Sequence, residues 1–342
     1  MNSSISSSDP ARWRRFSAVL LAVAAAVLGL IVAATYATDP YDTGRSNLLP
    51  KPGVRPQGPR TAAASRGRDQ AYNATIVGNS HIQLLSPERL KTSTGLDFVQ
   101  LAVPATGPKE HFTLIEWFLR HRERPVRALI VSADAMWCNP DPAMPNDKPF
   151  PFWLFSQSPL EYLRGLLRYD ILEETPRRLG YVFDTDAERA RPDGYWDYEP
   201  DYIGLGYDRD PVLRQRLEQK PHGKAALVEH DPLAGKRRFP TAEKLREVAR
   251  TLPAEAALIV VFPATYTNFQ PPPGTEPAYH DAACKKAITE AARSHAKSAV
   301  VDWRVQRAEN QEASLFFDMS HYRQPIARAM EADIAQALAK LN

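Results

Sequence analysis

Cysteine is scarce in this chain: 342 residues contain only two, Cys138 and Cys284. That excludes a disulfide framework, and neither residue stands in the CxxC spacing used by zinc sites or dithiol redox centres. In an oxidising compartment the two could pair with each other. An excess of one charge is also lacking. The 43 basic residues stand against 40 acidic ones, a net charge of +3, which argues against the concentrated basic face that nucleic acid requires. A mean hydropathy of −0.40 excludes a polytopic membrane protein but leaves room for one span. Neither an internal repeat nor a low-complexity tract is present. Apolar side chains make up 44% and charged ones 24%, enough for the core of one or two domains and too few charges for wholesale disorder. The 30 prolines cluster, pointing to long irregular segments.

Phe16 to Ala37 reads FSAVLLAVAAAVLGLIVAATYA, without one charged residue. About twenty apolar residues in a helix match the roughly 30 Å hydrocarbon layer. Arg12, Arg14 and Arg15 precede the run. The positive-inside rule then keeps residues 1–15 as a cytoplasmic tail, makes 16–37 a transmembrane anchor and exports everything after Thr38. A cleaved signal peptide has a shorter apolar stretch of about 7–15 residues, and the best small-x-small site, Thr35-Tyr36-Ala37, has a bulky middle residue. An uncleaved anchor is therefore expected, in the inner membrane, with the carboxyl-terminal domain in the periplasm or outside the cell. Residues 38–71, with several prolines, glycines and arginines, are expected to form a tether or a surface-hugging segment.

From residue 72 the chain alternates. Short apolar runs at Ala74–Val77, Phe98–Val103, Ala128–Val131, Ala257–Phe262 and Ala299–Asp302 read as strands. Helical patterns begin near Pro87 and cover Lys109–Arg120, Thr241–Thr251, Tyr279–Lys297 and Gln324–Leu341. Strands separated by helices imply an α/β fold: a parallel sheet of about five strands with right-handed crossovers and helices on both faces. Sites in such sheets lie at the carboxyl ends of the strands. Residues 135 to about 240 break the rhythm and are expected to cap that end, with one helical stretch near Pro159–Leu179. The domain would then run from 72 to 342.

Two places carry candidate chemistry. Ser80 follows a buried strand and the Gly78-Asn79 pair, so it sits at a tight strand-to-helix turn near backbone N–H groups. Asp318-Met319-Ser320-His321 lies just before the final helix. A serine needs a base to take its proton, and an imidazole needs an acceptor on its far nitrogen. Read alone, each is also an ordinary turn or helix cap.

In combination, the strand-Gly78-Asn79-Ser80 block, the parallel α/β body and the Asp318-x-x-His321 spacing resemble the SGNH (GDSL-like) hydrolase superfamily. The resemblance covers roughly 72–134 and 241–341. It implies a three-layer α/β/α, flavodoxin-like fold with Ser80 as nucleophile, His321 as general base and Asp318 as its orienting acid. Leu101–Gly107 falls where that superfamily has its second block, which would make the backbone N–H groups of Gly107 and Ser80 oxyanion donors. At the third block, where the superfamily has an Asn donor, this chain has the anion Asp134, with Asn139 several residues later. Asn79, Asn139 or another group would have to serve. The anchor-plus-exported-domain layout is similar to that of envelope-polysaccharide modifying members of the alginate O-acetylation and lipoteichoic-acid D-alanylation type. That implies acyl transfer or ester hydrolysis on a carbohydrate polymer through an acyl-Ser80, without cofactor or metal, with a multispanning membrane acyltransferase as partner. A catalytically weak glycan-binding or export-complex scaffold is the alternative.

His81, Arg323 and Trp196 are candidate substrate contacts: a histidine beside the nucleophile, a cation for an anionic sugar, and an aromatic for stacking on sugar rings. Their ordinary readings are a solvent-facing histidine, a partner for a nearby carboxylate and part of a small cap core. Asp302, His280 and His295 form no metal-ligand spacing.

Overall fold

The computed structural model describes residues 10–49, 51–185, 188–219 and 226–341. Residues 1–9 of the expected cytoplasmic tail lie outside them. The first helix, α1 (Pro10–Thr38), is long and apolar enough to cross a membrane, and none of its most apolar stretch is covered by the rest of the chain.

The elements that follow are α2 (Pro59–Arg68), β1 (Ala74–Gly78), α3 (Pro87–Thr94), β2 (Phe98–Ala102), α4 (Pro108–Arg120) and β3 (Ala128–Ser132). The insertion holds α5 (Phe152–Phe155), α6 (Pro159–Gly165), α7 (Tyr169–Val182), α8 (Glu199–Tyr202) and α9 (Pro211–Glu218). The chain closes with α10 (Pro240–Thr251), β4 (Ala257–Phe262), α11 (Glu276–Ala292), β5 (Ser298–Asp302), α12 (Ala308–Gln311) and α13 (Gln324–Leu341).

The five strands pair in parallel in the order β2-β1-β3-β4-β5. Side chains alternate across the pleat, so one apolar core takes Val77, Leu101, Val131, Val260 and Phe262, and a second takes Ile76, Phe98, Ile130, Ile259 and Val261. Sheets buried on both faces need such unbroken apolar strands. Helices α4, α10 and α11 supply the first core and α3 and α13 the second. The one polar inward residue of β2, Gln100, donates to the carbonyls of Gln83 and Leu85 at 2.9 and 2.8 Å. Its backbone N–H donates to Asp193 at 2.7 Å, so the insertion occupies the free edge of β2.

Of the two alternatives for 38–71, a tether or a surface-hugging segment, the second is found: the stretch packs against the domain along much of its length. Asp39 accepts from the N–H groups of Thr43 and Gly44 at 2.9 and 2.7 Å. Asp42 accepts from Ser65, Arg68 and the Gly53 N–H at 2.6, 2.6 and 2.8 Å. The run Ala62-Ala63-Ala64 then lets α2 approach closely, and Trp117 donates to the Ala64 carbonyl at 2.9 Å. Three short side chains with high helix propensity explain the helix.

Two other expectations differ from what is found. The insertion is not one lid. In its first part α5 packs on α4 and α2, α6 on α5 and α7 on α1, and Leu154, Phe155, Tyr162, Leu166 and Ile171 join the first core, while Tyr198 and Leu217 of its second part belong to the second core. The helix expected at Tyr279–Lys297 runs Glu276–Ala292, because Thr275 caps the Ala278 N–H and Pro277 sits in the first turn.

Cys138 and Cys284 are joined by a disulfide, Cα to Cα 5.5 Å, fastening the segment after β3 to α11.

Candidate active site

Ser80 and His321 are 241 residues apart, and the fold brings them into hydrogen-bonding contact. After β1 the chain turns at Gly78, where a Cβ would stand 2.6 Å from Ser132 Cβ and 2.7 Å from Ile82 Cγ2, so only glycine lets β1 end against its neighbour. Asn79 caps the short turn Ser80–Ile82 by accepting the His81 N–H at 3.1 Å. Ser80 is thereby held half-exposed at the carboxyl end of β1. This is the point where the chain goes to β2 on one side and later returns to β3 on the other, and the crevice between such strands is where open α/β sheets bind ligands.

Asp318 and His321 sit on a small loop closed by the antiparallel bridge Phe316–Tyr322, with the Phe317 N–H on the His321 carbonyl at 2.7 Å. Asp318 Oδ1 accepts the N–H groups of Ser320 and His321 at 2.9 and 2.8 Å. Its Oδ2 meets His321 Nδ1 at 2.7 Å, and His321 Nε2 lies 2.9 Å from Ser80 Oγ. Burial pushes the Asp318 carboxyl up, but the bonds from the His321 ring and the two N–H groups outweigh it and hold it at about 2. An ionised carboxylate only accepts, so Nδ1 carries the proton and, in the neutral ring, Nε2 accepts from the serine hydroxyl. This is the arrangement of a nucleophile, a general base and an orienting acid.

A second buried network supports the turn. Asp134, after β3, accepts from Asn79 Nδ2 and from the Met136 N–H (2.9 Å), and lies 3.2 Å from His81 Nδ1. Asn79 Nδ2 also donates to the Thr106 carbonyl at 3.1 Å. Burial raises the Asp134 carboxyl, but the contact with His81, the charges nearby and the Asn79 amide together hold it at about 2. Asp134 therefore ties the β1, β2 and β3 loops together. The sequence marked it only as an anion where a neutral donor was expected.

The ring of His321 is packed by His81 at 5.2 Å and by Tyr202 and Tyr198 at 5.9 and 6.0 Å between centroids. Tyr198 donates to the Tyr322 carbonyl at 3.0 Å, and Tyr322 donates to the His81 carbonyl at 2.5 Å. Burial raises both phenols far above the ordinary range, so they remain protonated donors. The contacts of Tyr198 and Tyr202 with the His321 ring were not expected from the sequence, in which the stretch Tyr195-Trp196-Asp197-Tyr198 suggested stacking on sugar rings or a small cap core.

The other expected residues are placed as follows. The Gly107 N–H donates to Glu110 Oε2 at 2.9 Å, closing the start of α4, so it is not available as an oxyanion donor. Asn139 is exposed, and its side-chain oxygen accepts the Asp141 N–H at 2.9 Å. It lines a cavity of about 730 Å³ with Met136, Glu276 and His280, and no hydrogen bond joins it to Ser80 or Asn79. Arg323 is already paired, 2.6 Å from Asp208 Oδ2, and Trp196 donates to Asp201 at 3.0 Å. His280 and His295 bond backbone carbonyls, and Asp302 pairs with Lys285. Among the described residues no cluster of His, Cys, Asp or Glu is arranged to hold a metal ion.

Comparison with protein-family models and with curated proteins finds no match to this chain.

Proposed function

We propose that this chain is a membrane-anchored, exported serine acyltransferase or esterase of SGNH type, acting on O-acyl groups of a cell-envelope or exported polysaccharide. The reading rests on one observation: the unbroken hydrogen-bonded line from Asp318 through His321 to Ser80 Oγ, at 2.7 and 2.9 Å. The strand order β2-β1-β3-β4-β5 supports a flavodoxin-like, three-layer arrangement with the nucleophile after β1. The Cys138–Cys284 disulfide supports export, since disulfides persist in oxidising compartments.

The chemistry follows from the geometry. Ser80 Oγ attacks the acyl carbonyl carbon as His321 Nε2 takes the hydroxyl proton. The imidazolium is stabilised by Asp318, and it returns the proton to the departing alcohol oxygen as the ester bond breaks. A sugar hydroxyl then gives up its proton to His321 and attacks the acyl-Ser80 carbonyl, and the imidazolium returns that proton to Ser80 Oγ as its ester bond breaks; water in the sugar's place makes the reaction hydrolysis. The Ser80 N–H, which has no acceptor among the described residues, is the backbone donor that this reading assigns to the oxyanion. A multispanning membrane acyltransferase is the partner that would load Ser80.

A second reading, a weakly catalytic glycan-binding or export-complex scaffold, is favoured by the engaged Gly107 N–H and the distant engagement of Asn139. The test is fluorophosphonate labelling of the full chain in detergent. Wild type is expected to label and Ser80→Ala not to; equal labelling of both would remove the assignment. If Ser80→Ala leaves polymer acylation intact in cells while loss of the exported domain abolishes it, the scaffold reading replaces the enzyme.

A further inference from the structure

Helix α7 buries two charged side chains beside Ile171 and Tyr181, and leaves large apolar side chains exposed among Asp170, Glu173 and Arg177. Glu174 and Arg178 point inward. Glu174 accepts from Arg55 Nε at 2.7 Å, and Arg178 donates to the Gly53 and Lys51 carbonyls. Tyr169, Leu172, Pro176 and Phe183 share the outward face at helical spacing, with Tyr169 76% and Phe183 66% exposed. The preceding helix α6 adds Leu160 and Leu163, and the turn after it adds Leu167, all three exposed. Large apolar side chains left exposed together in this way mark an interaction surface.

Its position says what covers it. Helix α7 packs against α1. Leu163 and Leu48 line a groove with the α1 residues Ala25, Leu28, Gly29, Val32, Ala33, Tyr36 and Ala37. Counted from Phe16, where the apolar run begins, about twenty residues of hydrocarbon-spanning helix end near Thr35. Leu163 therefore lies beside a part of α1 that belongs inside the apolar layer. Arg164, Arg168 and Arg177 flank the patch and are exposed, interspersed with the exposed carboxylates Glu161, Asp170 and Glu173, and Arg168 lies 3.2 Å from Asp170 Oδ1; such arginines beside Tyr169 suit a lipid headgroup boundary.

We infer that α6 and α7 form a membrane-docking element whose apolar face enters the bilayer leaflet next to the carboxyl end of α1. The occupant is lipid. The proposal rests on α1 spanning the bilayer and is independent of the chemistry assigned to Ser80.

The chain has no free thiol, so single cysteines can carry an environment-sensitive fluorophore. Full-length protein labelled at Leu160→Cys, Leu167→Cys or Phe183→Cys is reconstituted in liposomes of phosphatidylethanolamine and phosphatidylglycerol. Leu21→Cys reports the anchor, and Ala332→Cys, exposed on α13 across the sheet from α4, is the aqueous reference. The three docking labels are expected to shift to the blue and to lose about half their emission to lipids bearing a nitroxide high on the acyl chain. The Leu21 label is quenched by a nitroxide near the chain end, and the Ala332 label by neither. Docking labels that behave like Ala332 while Leu21 is quenched would overturn the proposal and assign the patch to a protein partner. An unquenched Leu21 label would overturn it by removing the span.

Discussion

Acid should weaken this fold through one buried histidine. His111 on α4 is fully enclosed between the β2 loop and Trp137. Its Nδ1 accepts from Trp137 Nε1 at 3.1 Å, and its Nε2 meets Thr106 Oγ1 at 3.1 Å. Indole nitrogen only donates, so the neutral ring carries its proton on Nε2, and a second proton on Nδ1 would face the indole N–H. Burial, only partly offset by the Asp134 charge, lowers the His111 pKa from 6.5 to about 4. A depressed histidine contributes full stability above its unfolded value and loses it as pH falls through 6.5 toward 4, because the unfolded chain binds the proton first. At about 1.4 kcal/mol per unit, the loss over that window is ~3 kcal/mol. Urea unfolding in detergent, followed by tryptophan emission from neutral pH down to about 4, measures it against His111→Gln. Glutamine can keep both bonds without titrating, so the wild-type-minus-variant stability should decline across the window. A difference that stays flat would refute the assignment of acid lability to His111.

Two other perturbations test the site and its support. On the proposed triad, Asp318→Asn should leave the fold intact but reverse the imidazole tautomer facing Ser80, lowering ester turnover by about 10⁴, the size of effect seen when a triad aspartate becomes asparagine; p-nitrophenyl acetate hydrolysis reads it, and a change below tenfold would argue against the triad role. Replacing Cys138 and Cys284 together by serine opens a loop with a sequence separation of 146. The chain-entropy relation puts the loss near 5 kcal/mol, seen as a lower urea midpoint that added reductant no longer changes.

The core of the fold was legible because its strands are unbroken apolar runs bounded by turn residues. Such runs announce a parallel sheet whatever the loops do. Ser80, Asp318 and His321 were legible for a related reason: each sits beside a boundary where strand or helix signals are strong. Asp134 was not, since a buried carboxylate gains its role from Asn79 and His81, partners no local pattern shows. Gly107 misled because its place in the chain says nothing of Glu110 reaching back to its N–H. The segment 38–71 could be read as a tether as well as a surface-hugging segment because proline and glycine also build rigid turns once Asp39 and Asp42 collect the backbone N–H groups around them.

That double aspartate collar has a mechanical consequence. With the exit from α1 locked to the first helix of the domain, Ser80 is held at a fixed distance from the carboxyl end of α1, which for a membrane-spanning α1 sets one height above the lipid surface. On the proposed acyl-transfer reading, a donor arriving in the plane of the membrane would meet it at one distance only, so lengthening the collar by a few residues should disturb delivery while sparing turnover of small freely diffusing esters.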